Sequence, residues 1–335
     1  IVIYRVSEKE PSLQYHGMAQ SVAGGGPRHM KFSSDGRFIA YVVNEAGISR
    51  VRLLDPATGK SRTLESLPAG VVGSLDVSDW GEIGLSLSSA RSPSDAYSIN
   101  PETLAVTRWT ASETGGLDAT KNAEPSLVEI KSFDGLKMSG FLYRPDDTKF
   151  PGKRPMLMWV HGGPESQSRP AFIGAYNYLV NELGIALFYP NVRGSSGYGK
   201  TFVSLDNGAF KREDSVKDMG AFLDALAKDP ALDAGSFGLT GGSYGGYAAI
   251  FAVLRNPERY ACAASWAGVT DFDRILRYDR SFFSRAGFKR WREKVRGQGV
   301  QDMKHVSPLE RAASLSRPLL LAMSRMKCAA LVCPP

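Results

Sequence analysis

The sequence predicts an α/β protein: a mostly parallel sheet with helical crossovers, preceded by an antiparallel part built like an incomplete β-propeller. Three observations predict it. From about residue 127 short apolar strands alternate with helical periodicity, the pattern of parallel strands joined by helices. Before residue 120 the chain reads as short strands and tight turns that repeat. At 241–245 a Gly-Gly-Ser-Tyr-Gly segment stands between a predicted strand and a predicted helix.

The repeat comes first in the chain. Lys31-Phe-Ser-Ser-Asp-Gly-Arg-Phe-Ile-Ala-Tyr-Val-Val43 is a turn at Asp35-Gly36 feeding an apolar strand, and Val51 begins a strand that runs into the turn Asp55-Pro-Ala-Thr-Gly59. Val77-Ser-Asp-Trp-Gly81 repeats the first turn and Asn100-Pro-Glu-Thr103 the second. Asp35 and Asp79 are 44 residues apart, Pro56 and Pro101 45. A period of about 40–45 with four short strands per unit marks a propeller blade. An unrelated β-sandwich with chance turn spacing is the alternative. A propeller closes with about 4–8 blades, and residues 1–120 hold about two.

Residues 111–126 carry few large apolar side chains and read as a linker. After it a hairpin forms around Phe133-Asp134-Gly135. Strands are then expected at 156–160, 185–189, 237–240, 261–266 and 318–322, with helices over 171–183, 213–228 and 244–255. In the 213–228 helix Val216, Met219, Phe222, Leu223 and Leu226 share one face. At about 150 residues per domain, 335 residues suggest two domains, divided at 120/121.

Composition narrows the function classes. Hydrophobic residues make up 43% and charged residues 22%, which excludes a disordered or collagen-like chain. The net charge is +7, but Arg311, Arg317, Arg325 and Lys327 fall in a stretch after Glu310 that has no Asp, Glu or His. The excess is local, so no nucleic-acid partner is expected. Three cysteines build no disulfide framework, and Cys262, in an apolar run, is expected to be a buried thiol. No apolar run reaches the length of a membrane-spanning helix, and no membrane partner is expected. No signal-peptide pattern is visible, which favours the cytoplasm over secretion.

Chemistry points to Ser243. In G-x-S-x-G the serine occupies a strained strand-to-helix turn with its hydroxyl proud of the sheet, and glycines at −2 and +2 let strand and helix approach. The helix N-terminus favours negative charge. A phosphate-binding turn is the competing reading, but the segment lacks the P-loop lysine and the G-x-G-x-x-G spacing. The strand ending at Val160 runs into His161-Gly-Gly-Pro164, a loop that can offer the Gly163 N–H to an oxyanion beside the N–H of Tyr244. His161 precedes the serine, so it reads as a loop-shaping residue, not the base. Asn191-Val-Arg-Gly-Ser-Ser-Gly-Tyr-Gly199 is a Gly-rich loop at a strand end, with Arg193 expected to pair structurally with Glu213 or Asp214.

HGGP at 161–164, NVRGSSGYG at 191–199, GGSYGG at 241–246 and Ser307-Pro308-Leu309 follow one another in an order that resembles the prolyl oligopeptidase family of serine peptidases over 127–322, most closely its acylaminoacyl-peptidase and dipeptidyl-peptidase-like members. The resemblance implies an α/β-hydrolase catalytic domain over 121–335 behind a partial β-propeller over 1–120. It also implies peptide hydrolysis through an acyl-enzyme on Ser243, short peptides as substrates, and no metal or cofactor. A carboxylesterase or lipase shares the elbow and the HGG loop and is the first alternative; a non-catalytic fragment is the second. The family order places an Asp after the strand at 318–322 and a His beyond it, and neither triad partner is identifiable here. His305 lies before that strand in a polar stretch. The tail from about residue 323 is expected to be aberrant: shifting Ala-Met-Ser-Arg-Met-Lys-Cys by one base permits Ala-His-Glu-Pro-Asp-Glu-Val. The expectation is a fragment truncated at both ends and inactive as written.

Overall fold

The computed structural model describes residues 2–5, 14–18, 28–163, 165–208, 211–278, 289, 293, 295, 296 and 303–323. The expected aberrant tail, with Cys328 and Cys333, lies outside the described residues apart from Met323. The chain forms two compact units, one of Ile1–Glu124 with Arg169–Asn177 and Gly197–Gly199, the other of the remainder.

In the first unit β1 (Val2–Arg5) pairs with β2 (Gln14–Met18). Two four-stranded antiparallel meanders follow. One is built from β3 (Arg28–Phe32), β4 (Ile39–Glu45), β5 (Ile48–Leu54) and β6 (Ser61–Thr63). The other is built from β7 (Gly70–Val77), β8 (Ile83–Ser89), β9 (Ser92–Ile99) and β10 (Val106–Arg108). The repeat is visible bond by bond. The Asp55 N–H donates to Lys60 O and the Gly59 N–H to Asp55 O; the Asn100 N–H donates to Ala105 O and the Leu104 N–H to Asn100 O. The Asp55 carboxylate accepts from the N–H groups of Ala57 and Thr58, as the Asn100 side-chain oxygen does from Glu102 and Thr103. Both turns therefore need a short acceptor first and a left-handed residue fifth, filled by Gly59 (φ 70°) and Leu104 (φ 61°).

The two sheets bury a common apolar layer. Phe38, Ala40, Val42, Val51 and Leu53 of one meet Val72, Leu75, Ile83, Leu85, Leu87 and Ile99 of the other. In β8 Ile83, Leu85 and Leu87 point inward at every second residue, as a strand dictates. Each such side chain contributes about 1.5–3 kcal/mol.

Asp95, on β9, is a fully buried carboxylate that sequence pattern does not reveal. It accepts from the hydroxyls of Ser92 (2.6 Å), Thr110 (2.9 Å) and Ser112 (2.9 Å), the Ser112 N–H and Arg108. Burial pushes its carboxyl up, but the Ser92, Ser112 and Thr110 bonds outweigh burial and hold it far below the usual range. A carboxyl depressed in the fold stabilises above its unfolded pKa of about 4 and loses that contribution as pH falls further. Asp95→Asn is thus expected to cost about 2–3 kcal/mol at pH 7, and progressively less as pH falls below about 4 toward the depressed folded value. A series of urea melts from pH 7 downward checks this; a loss that does not shrink below about pH 4 would refute it.

The second unit carries a seven-stranded sheet. Its elements are β11 (Ser126–Lys131), β12 (Lys137–Tyr143), β13 (Arg154–Val160), α1 (Asn177–Asn181), β14 (Ala186–Asn191), α2 (Lys200–Ser204), α3 (Arg212–Leu226), β15 (Leu232–Gly242), α4 (Tyr244–Arg255), β16 (Cys262–Trp266), α5 (Phe272–Tyr278) and β17 (Leu319–Ala322). The order is β11-β12-β14-β13-β15-β16-β17, antiparallel from β11 to β14 and parallel from β14 onward. The chain leaves β13 toward β14 and returns to β13's other side as β15. The carboxyl ends of β13 and β15 thus flank a switch point, where α/β sites form. Ala186, Leu187 and Phe188 are consecutive and fully buried, so both faces of β14 are covered. Val216, Met219, Phe222, Leu223 and Leu226 form the buried face of α3.

Two expectations change. The helix over 171–183 contracts to a 3₁₀ turn at Gly174–Tyr176 and the short α1, since Gly174 takes φ 57° and interrupts it. Cys262 is exposed. Ala263 and Ser265 face α4, and the two-residue alternation leaves Cys262 on the opposite face with Trp266.

Candidate active site

Ser243 is the single residue between β15 and α4, with φ 55° and ψ −117°. A left-handed non-glycine conformation costs about 1–3 kcal/mol and persists only where the surroundings impose it. The surroundings are visible. The Ser243 N–H donates to Trp266 O (2.8 Å), and Ser243 O accepts the Tyr247 N–H (3.0 Å) to open the helix. A β-carbon on Gly241 would stand 2.5 Å from the Gly245 carbonyl carbon and 2.6 Å from Val160 O. One on Gly245 would overlap Val160 O. Both glycines therefore exist for close approach of β13, β15 and α4. The Ser243 side chain makes no capping bond to its own helix. Tyr244 opens that helix, where the N–H groups of the first turn have no intrahelical acceptor.

The loop after β13 runs beside this elbow. A β-carbon on Gly162 would lie 3.4 Å from Ser243 Cβ and 3.1 Å from Gly242 O. Gly163 follows with φ 120°; Pro164 lies outside the described residues. His161 has its Nδ1 2.8 Å from Gly162 O and its Nε2 2.8 Å from Ser195 Oγ. Burial pushes its imidazole below the ordinary histidine range, opposed by the bond to Gly162 O.

Arg193 is buried and tied to Asp218, with Nε to Oδ2 at 2.9 Å and Nη2 to Oδ1 at 2.8 Å. Asp134 takes its other edge at 3.1 and 3.2 Å, and Asp214 stands at 3.9 Å. Of the two partners expected from sequence, Asp214 stands at ion-pair distance and Glu213 pairs with Arg255 instead; Asp218, which was not expected, makes the closest bonds. The α3 turn explains it, since Asp218 faces the sheet while Glu213 sits in the helix's first turn. Tyr244 is buried under Arg212, whose guanidinium lies 5.5 Å from its ring, and its hydroxyl meets Ser215 Oγ at 2.9 Å. Burial, helped by Asp206, pushes that hydroxyl's pKa up to about 12, so it stays protonated.

The structure thus brings Ser243, Gly162 and the start of α4 together. His305 lies on a 3₁₀ turn, Lys304–Val306, on the segment whose Ser307 hydroxyl accepts the Phe272 N–H. Sequence reasoning missed Asn191, Ser195 and Asp218 as supports of the site. Their only local signal was position in the Gly-rich loop and on the α3 apolar face.

Residues 170–326 match the family described as Prolyl oligopeptidase family, and residues 1–85 match the one described as Lactonase, 7-bladed beta-propeller. The chain is 30% identical over 248 residues to dipeptidyl aminopeptidase BIII of Pseudoxanthomonas mexicana, covering 68% of this chain and 35% of that protein. It is 28% identical over 211 residues to the acylamino-acid-releasing enzyme of Sus scrofa, covering 60% and 28%. Among solved structures it resembles a Mycobacterium tuberculosis puromycin-hydrolyzing peptidase, with a TM-score of 0.76, 20% identity and coverage of 96% and 49%. It also resembles prolyl oligopeptidase B from Galerina marginata, with a TM-score of 0.79, 16% identity and coverage of 97% and 51%. The chain spans about a third of the curated relatives' length and about half of these solved chains. The likenesses give the fold class as an α/β-hydrolase sheet preceded by β-propeller strands. With 30% identity to one relative over 68% of this chain, and the serine elbow inside the matched residues 170–326, the chain belongs to the prolyl oligopeptidase family.

Proposed function

We propose that this chain is part of a serine-type peptidase that hydrolyses short peptides through an acyl-enzyme on Ser243. The observation that carries the reading is the Ser243 backbone, held left-handed between β15 and α4 by glycines that admit no side chain. Ser243 Oγ attacks the peptide carbonyl as its proton passes to a base, and the N–H groups of Gly163 and Tyr244 receive the oxyanion. The C–N bond breaks as that proton reaches the leaving amine, and water hydrolyses the ester, releasing the acid and restoring the hydroxyl. In this reading residues 1–120 are propeller blades, and residues 121–335 the catalytic domain. The blade-like sheets favour a peptidase over a simple carboxylesterase.

The attacking hydroxyl must lose a proton, and no Asp, Glu or His follows Glu310 in these 335 residues. A polypeptide of these residues is expected to work about 10⁶-fold below a complete triad. A fluorophosphonate probe with added imidazole as external base tests the nucleophile separately. Peptide mapping is expected to find the label on Ser243, faster with imidazole and absent in Ser243→Ala. A label elsewhere, or none on Ser243 with imidazole, would overturn the reading. Imidazole-assisted cleavage of p-nitrophenyl esters but not peptide nitroanilides would favour the esterase.

A further inference from the structure

We propose that residues 191–196 are a template that sets the Gly162–Gly163 peptide, with Asn191 and Ser195 as positioning residues acting through Ser168 and His161. The inference rests on the reading of Ser243 as nucleophile and the Gly163 N–H as oxyanion donor.

Three clamps join the template to the 161–168 loop. At the loop's far end the Ser168 N–H donates to Asn191 Oδ1 (2.7 Å) and Asn191 Nδ2 donates back to Ser168 O (3.0 Å). Asn191 is fully buried, and its side chain copies one rung of an antiparallel ladder. In the middle the Ser196 N–H donates to Ser166 O (2.7 Å). At the near end Ser195 Oγ meets His161 Nε2 (2.8 Å).

The last clamp reaches the peptide that matters. Gly162 O belongs to the same planar unit as the Gly163 N–H, so a bond to that oxygen fixes where the N–H points. Gly162 O only accepts, so His161 Nδ1 carries the proton. The Ser195 hydroxyl donates to Val192 O (2.7 Å), which also receives the Ser195 N–H (3.1 Å), so Ser195 Oγ is fixed in place against His161 Nε2 at 2.8 Å. The template is anchored in turn. Arg193, at its centre, is locked by Asp218 on α3 and by Asp134 on the β11–β12 hairpin. Without such anchoring two adjacent glycines would turn freely. The HGG and NVRGSSG segments, 25 or more residues apart in sequence, are therefore one device.

The test uses the 335-residue chain labelled with ¹⁵N at histidine and glycine. At pH 7 His161 is expected to show a protonated Nδ1, and Ser195→Ala to shift the Nε2 resonance. The Gly163 N–H order parameter is expected near about 0.85, falling below about 0.6 in Ser195→Ala and Asn191→Ala and recovering in Ser195→Thr. Gly241 and Gly268 should not change, which separates local release from general loosening. A protonated Nε2 on neutral His161, or a Gly163 order parameter unchanged in both alanine variants, overturns the proposal. Should one variant not fold, the His161 tautomer and the other variant still decide it. If Ser243 takes no label while the clamps behave as described, the nucleophile reading fails and the template stands.

Discussion

Asp218→Ala is expected to lower the unfolding free energy by about 3–5 kcal/mol. Asp218 is fully buried and accepts four bonds: from the Arg193 side chain (2.9 and 2.8 Å), the Arg193 N–H (2.9 Å) and the Ser132 hydroxyl (2.6 Å). Removing it strands a buried guanidinium whose remaining close partner, Asp134, is partly exposed. The cost is that of an uncompensated buried charge rather than of one contact. The comparison is Glu182→Ala, which breaks the surface pair with Lys149 and should cost about 0.5 kcal/mol. Replacing both members, Arg193→Met with Asp218→Leu, should recover part of the loss, because no charge is then left unpaired. Urea denaturation of the three variants measures it, and a loss under about 1 kcal/mol in Asp218→Ala would refute the argument.

Gly245→Ala is expected to reduce imidazole-assisted labelling of Ser243 by at least about 100-fold and to cost about 3 kcal/mol of stability. Its β-carbon would overlap Val160 O and stand 2.8 Å from the Val160 carbonyl carbon and 2.9 Å from His161 O. These are backbone atoms of β13 and of the loop beside Ser243, so relief requires moving the strand or the helix. Either movement displaces the serine relative to Gly162. Gly238→Ala, earlier in β15, is the control. Its new β-carbon meets the end of the Leu157 side chain at 3.1 Å, which can yield, and it should cost less than about 1 kcal/mol. Equal effects at the two positions would show that the elbow has no special demand for space.

The parts legible in the sequence are those whose bonds close within a few residues. The elbow is one: strand, serine and helix are contiguous, so a five-residue pattern carries its geometry. The blade turns are another, because Asp55 and Asn100 bond to backbone groups two to five residues on. The α3 apolar face was readable from its period, and α4 from the pattern around the serine that precedes it. What supports the site was not readable. Ser132 meets Asp218 across 86 residues, His161 meets Ser195 across 34, and Asn191 meets Ser168 across 23. A polar residue in a chain shows which bonds it can make but not with whom. The choice of Asp218 over Glu213 for Arg193 depends on which side of α3 each occupies. The exposure of Cys262 likewise depends on which face of β16 α4 covers. Sequence alone determined the strained turn at Ser243 and the alternation of strands and helices, since those follow from local sterics and period. Tertiary structure decided the partners of the buried charges and the unity of the two glycine-rich loops, because only packing brings distant donors and acceptors within 3 Å of one another.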